Sequence, residues 1–179
     1  MRRLRSVADA IDRLNNRLGQ TLSWLTVMLV AITAFVAILR YVLSVGWVWM
    51  QDAYLWIFGT MILMGAAYAL LHDRHVRVDF FYNRRGPRYR AAINLLGTVV
   101  FLFPTIGMLA WVNYPYVRSA WGRLEGSLEA GGLPGVFLLK SVLLVFCIPL
   151  AAQGISFAIR NALVLFEHQC GRRADSELP

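Results

Sequence analysis

Histidine, cysteine and acid are scarce in this chain, and each shortage removes a class of chemistry. There are three His and two Cys in 179 residues. Cys147 sits inside an apolar run and Cys170 near the C-terminus, so neither a disulfide nor a Cys-based zinc site is expected. A lone Cys in such a run is a small packing residue. His72, Asp73, His75 and Asp79 crowd together, but their order follows no closed zinc pattern, and the neighbouring Arg residues repel a dication. His72, His75 and His168 all fall at or beyond the ends of the apolar runs, which leaves a bis-His haem in a bilayer without ligands. The ten Asp and Glu lie in loops, tails or run ends, whereas an ion-coupled carrier keeps an acid in the membrane interior. No Ser/His/Asp or Cys/His set stands out for nucleophilic catalysis, and there is no glycine-rich phosphate loop. The expectation is a non-enzyme without a metal or cofactor.

Apolar residues are what the chain has in excess. They make up 58% of it, with mean hydropathy +0.54, and they come in long blocks. A block of about 18 or more apolar residues reads as a membrane span. Four qualify, at about 22–43, 53–71, 91–112 and 136–160. The fold class expected is an all-α membrane protein of one domain, residues 1–179, with four transmembrane helices. Trp47, Trp49 and Trp56 mark one interface. Pro104 predicts a kink in the third span, and Asp52 with Gln51 is placed to cap the second. Gly59, Gly65, Ala66, Ala67 and Ala69 make the second span small enough for close helix approach.

The net charge of +8 and the pI of about 10.2 could suggest nucleic acid, but the Arg residues cluster between apolar blocks. Five precede the first span, six lie between residues 72 and 90, and Arg160, Arg172 and Arg173 follow the last. The loop 113–135 holds two Arg, balanced by Glu125 and Glu129. The positive-inside rule then puts both termini and the 72–90 connector in the cytoplasm, with 44–52 and 113–135 outside. No nucleic-acid partner is expected. The basic N-terminus precedes a block longer than a signal-peptide core and no small-residue cleavage site, so a removed leader is not expected either. In residues 1–20, Leu4, Val7, Ala8, Ile11, Leu14 and Leu18 recur at helical spacing among Arg residues. This predicts an N-terminal amphipathic surface helix with membrane lipid as a partner. Gly131-Gly132-Leu133-Pro134-Gly135 must break any helix that continues from the third span.

Read in order, four features carry a family resemblance: Arg40-Tyr41; Trp49-Met50-Gln51-Asp52; Gly65 and the small run leading to His75-Val76-Arg77-Val78-Asp79; and Glu125-Gly126-Ser127 through Gly131-Gly132-Leu133-Pro134, then Lys140 and Gln153-Gly154. The chain resembles the small membrane subunit (DctQ-like) of tripartite ATP-independent periplasmic (TRAP) transporters. The resemblance implies an accessory or scaffold subunit in the bacterial inner membrane. Its partners would be a large multi-span permease subunit that moves solute with sodium and a periplasmic substrate-binding protein. It also implies an organic acid, often a carboxylate, as solute. The alternative is a membrane anchor for another inner-membrane complex such as a redox enzyme. Two layers of contact and orientation residues follow: Trp49, Gln51, Asp52, Glu125 and Glu129 facing outward, and His75, Arg77, Asp79, Arg84 and Arg85 on the inner connector. Lys140 and Gln153 are further helix-contact candidates.

Overall fold

A computed structural model describes residues 2–72 and 86–176. His75, Arg77, Asp79, Arg84 and Arg85 lie outside the described residues. Within them all regular structure is helical: α1 Arg2–Val42, α2 Val48–Leu71, α3 Pro87–Gly97, a π-helical segment Thr98–Leu102, α4 Phe103–Gly122, α5 Val136–Val145 and α6 Cys147–Ser176. Four continuous stretches are long and apolar enough to cross a membrane: Arg3–Val42, Val48–Leu71, Arg88–Gly122 and Val136–Phe166. The chain alternates direction, so one end of the bundle gathers the start of α1, the end of α2 and the start of α3. We call it the basic end; the opposite end carries the loops 43–47 and 123–135.

Prolines shape the third and fourth stretches. Pro104 has no N–H to give the carbonyl of Val100, and its ring crowds that turn. The helix widens just before it, and the N–H of Phe103 reaches back five residues to the carbonyl of Thr98. The expected distortion is therefore a π turn, a recognised way to accommodate such a misfit. Pro149 acts similarly on Val145. The fourth stretch, read from sequence as one helix, is interrupted at Phe146 between α5 and α6. Pro115 is carried inside α4, which runs on to Gly122 before the glycine-rich loop.

α1 differs from expectation. The first twenty residues are not a separate helix; they continue without a break into the first span, giving 41 residues and a length of about 60 Å. Contact runs along one stripe: Ala8, Asp12, Asn15 and Gly19, then Leu22, Leu25, Leu29, Ile32, Val36 and Leu39. In its first half the stripe is small and polar: Ala8, Asp12 and Asn15 pack on α6, and Gly19 meets Tyr68 of α2. Leu4, Val7, Leu14 and Leu18 point away and are exposed. In its second half the stripe is aliphatic and packs on α2.

The buried core is small. Ala67 and Leu70 of α2, Ile106 of α4, and Phe146, Cys147 and Leu150 at the α5–α6 junction form one cluster. Outside it, large apolar side chains such as Trp24, Phe101, Trp111 and Ile148 lie open, as lipid-facing helices require. Of the small residues in α2, Ala67 is buried, whereas a Cβ added at Gly59 or Gly65 meets nothing within 4 Å. The close approach is instead at Gly19, where an added Cβ would overlap the ring of Tyr68.

Gly19→Val is expected to destabilise the α1–α2 pairing by about 1–3 kcal/mol. Gly65→Ala should be neutral or gain up to about 1 kcal/mol of helix propensity. Thermal melts of the two variants in detergent check this, and equal behaviour would remove the role given to Gly19.

Candidate functional site

Polar side chains gather in two places, one at each end of the bundle. At the loop end they tie the 123–135 segment to three helices. The Lys140 ammonium, on α5, donates to both carboxylate oxygens of Glu125 at 2.8 Å and lies 4.0 Å from the centre of the Tyr116 ring. The backbone closes around this pair: the N–H of Phe137 donates to the Glu125 carbonyl at 3.2 Å, and that of Ser127 to the Leu133 carbonyl at 3.1 Å. Trp121 of α4 donates its indole N–H to Ser141 at 2.7 Å and meets Phe137 edge-on.

From α2, Asp52 accepts the N–H of Leu133 at 2.9 Å. This corrects the capping role expected of it: α2 starts at Val48, one turn earlier, with Trp47 at the N-cap position and no side-chain cap. Asp52 is therefore free to hold a loop 81 residues away. The geometry admits only glycine at 132, because a Cβ there would stand 2.6 Å from Asp52 Oδ2 and closer still to Ser127. Gly131 and Gly135 take positive φ of 81° and 117°, which glycine does at low cost. Leu124 also lies in the left-handed region at φ 47°, a costly place for a bulky residue. Its side chain is exposed, as is that of Leu128.

At the basic end the first half of α1 is clasped to α6. Gln153 and Ser156 donate to Asp12 Oδ1 at 3.0 and 2.6 Å. Arg160 Nε donates to Asp12 Oδ2 at 2.9 Å, and its guanidinium reaches Asp9 at 2.8 Å. The charge on Asp12 orders the rest. Because Gln153 must turn its NH2 toward the carboxylate, its oxygen faces Asn15, whose NH2 donates to it at 2.7 Å and to the Pro149 carbonyl at 3.2 Å. Asn15 is 1% exposed, and its Oδ1 is buried without a hydrogen bond. Beside the clasp, the His72 ring meets that of Tyr68 at a tilt, centres 4.3 Å apart, and faces Asn16 at 3.4 Å.

Of the residues singled out in the sequence, Asp52, Glu125 and Lys140 thus converge on one loop. Trp49 and Glu129 stay exposed nearby, and Gln51 is half-buried. Gln153 is 2% exposed, so its amide is spent inside the chain and is not a surface contact. Asp9, Asp12, Asn15, Ser156 and Arg160 were missed. Their signal was present as spacing: Gln153, Ser156 and Arg160 share one face of α6, as Ala8, Asp12 and Asn15 share one face of α1. One gathering ties helix to helix and the other ties a loop to the helices around it.

Gln153→Leu removes the bridge between Asp12 and Asn15 and leaves the buried Asn15 amide with the Pro149 carbonyl alone as acceptor, a loss of about 1–3 kcal/mol. The unfolding midpoint in detergent should fall accordingly. An unchanged midpoint would show that the clasp contributes nothing to stability.

No curated protein sequence matches the chain. The family described as "Tripartite ATP-independent periplasmic transporters, DctQ component" matches residues 28–164, from within the first span to α6 and across the whole loop-end brace. That match covers well over half of the chain, so the chain belongs to the DctQ family, the small permease component of TRAP transporters.

Proposed function

We propose that this chain is the accessory subunit that braces the large permease of a sodium-coupled TRAP importer, with an organic acid, in particular a carboxylate, delivered by a periplasmic binding protein. The observation that carries this is the family match over residues 28–164. The physical support is the division of polar groups. Of the acids whose side chains are described, Asp9, Asp12, Asp52 and Glu125 sit in ties and Glu129 in a loop. The ties leave no carboxylate placed to bind and release an ion, so coupling falls to the partner. A bundle braced at both ends suits a part that stays still while another moves.

In this reading both termini and the 72–90 connector are cytoplasmic, because that is where Arg accumulates. Arg77, Arg84 and Arg85, with His75 and Asp79, then fix the inner interface. The braced loop faces the periplasm, where Trp49, Gln51 and Glu129 contact the large subunit or the binding protein. Asp52, Glu125 and Lys140 act indirectly, by holding that surface in shape. The outward Leu4, Val7, Leu14 and Leu18 of α1 meet lipid, while the polar face of the same segment meets α6.

A tagged copy isolated from its native membrane should carry a larger hydrophobic protein with it. Recovery of a clean, stable lone monomer would count against the assignment. A reporter fused to either terminus should read cytoplasmic, and Arg84→Glu combined with Arg85→Glu should produce a mixed topology or loss of assembly. Unaltered topology and assembly in that double variant would remove the role given to the connector.

A further inference from the structure

At the basic end a groove of about 290 Å³ opens between α3 and α6, lined by Arg88, Leu95, Ala162, Leu165 and Phe166. Its position follows from the sequence: Arg88 stands just ahead of the third apolar block, which starts near residue 91, and Phe166 lies just beyond the fourth, which ends near residue 160. The mouth therefore lies at the level where apolar helix gives way to headgroups. From Arg88 the wall descends seven residues to Leu95, about 10 Å along the helix axis. Apart from Arg88 every lining side chain is apolar. Arg88 is exposed and has no acidic partner among the described residues. A second groove on the other side of α6, lined by Arg5, Asp9 and Arg160 among others, makes the contrast. There Arg160 is already held by Asp9 and Asp12. Arg88, by contrast with Arg160, keeps its charge available at the mouth of its groove.

We propose that this groove holds an anionic phospholipid, its phosphate met by the Arg88 guanidinium and one acyl chain lying along Leu95, Ala162 and Leu165. Guanidinium suits a phosphate because its forked donors match the oxygens in pairs. An apolar floor running down from the charge suits a chain attached to that phosphate, which free phosphate would leave unfilled. The inference needs only that the chain spans the membrane and does not depend on its partner or solute.

The test is lipid retention by the full chain and by its complex with the large subunit, read by native mass spectrometry during titration with phosphatidylglycerol and, separately, phosphatidylcholine. Wild type should hold one phosphatidylglycerol about fivefold more tightly than phosphatidylcholine, the contribution of one interfacial Arg. Arg88→Gln, a change at an exposed position, should abolish that preference without lowering the unfolding midpoint. Ala162→Phe, which fills the floor, should weaken both lipids alike. If Arg88→Gln keeps the preference, the site is overturned. If the complex carries no retained lipid while the isolated chain does, the groove is covered by the large subunit and the proposal falls.

Discussion

Asp12 ties α1 to α6 through a single carboxylate that accepts from Gln153, Ser156 and Arg160 at once. The rest of the arrangement leans on this tie because apolar contact is weakly selective in a membrane. Lipid tails satisfy a leucine about as well as another helix does, so hydrophobic burial gives little reason for one helix to prefer its neighbour. α1 shows the consequence: none of its most apolar stretch is buried inside the chain. What sets its position is the line of small and polar residues in its first half, where an unpaired charge would be costly and a paired one is specific. The clasp thus fixes the register of a 41-residue helix whose second half could otherwise slide or rotate against α2.

The loop-end brace solves the complementary problem. A glycine-rich segment between α4 and α5 has a high conformational entropy to lose, and a loop of that kind is ordinarily mobile. Here Asp52 holds its backbone at Leu133, Lys140 holds Glu125, and glycine at 132 permits the approach. Exposed ion pairs contribute little, but the Lys140 side chain is 11% exposed and shares Tyr116 as a second partner, so it is shielded from the screening that weakens surface pairs. Ties at both ends with a short apolar core between them make a bundle that resists bending. Such a bundle can present Leu124 and Leu128 outward on a fixed frame, in a conformation that costs energy at Leu124.

The legibility of all this in the sequence divides along physical lines. Spans were readable because hydropathy is local and additive: about twenty apolar residues in a row have few other uses. That residues 131–135 stay out of helix was readable because glycine and proline act through their own backbones, but they do not end α4, which stops earlier, at Gly122. Pro149 carried the same kind of signal for the α5–α6 interruption and was hidden only by the apolar run around it. The clasp was harder. The stripe expected in residues 1–20, of Leu4, Val7, Ala8, Ile11, Leu14 and Leu18, is exposed at Leu4, Val7, Leu14 and Leu18 but buried at Ala8. The arginines that a surface helix sends to headgroups, Arg5, Arg13 and Arg17, are exposed too, and burial falls on a third face, that of Ala8, Asp12 and Asn15. Once lipid is the surroundings, amphipathicity can invert: the polar side goes inward if another helix offers Gln153, Ser156 and Arg160 at matching heights. Such matching is a property of two distant segments, and single-segment periodicity does not contain it. Asp52 failed as a cap for a related reason, since its partner lies 81 residues on.

The same inversion bears on what a small subunit of this family can contribute. A carrier must let its ion-binding carboxylates lose and regain partners with each cycle. Asp12 cannot do so without releasing α1 from α6, because every donor it meets belongs to that interface. Glu125 cannot without freeing the loop from Lys140. The charges that Asp12 and Glu125 carry are therefore committed to holding α1 on α6 and the loop on α5. The open apolar faces of α1 and α4 follow from the same economy of internal contacts: a bundle fixed by a few polar ties need not bury its flanks, and those flanks remain for lipid or for the large subunit to cover.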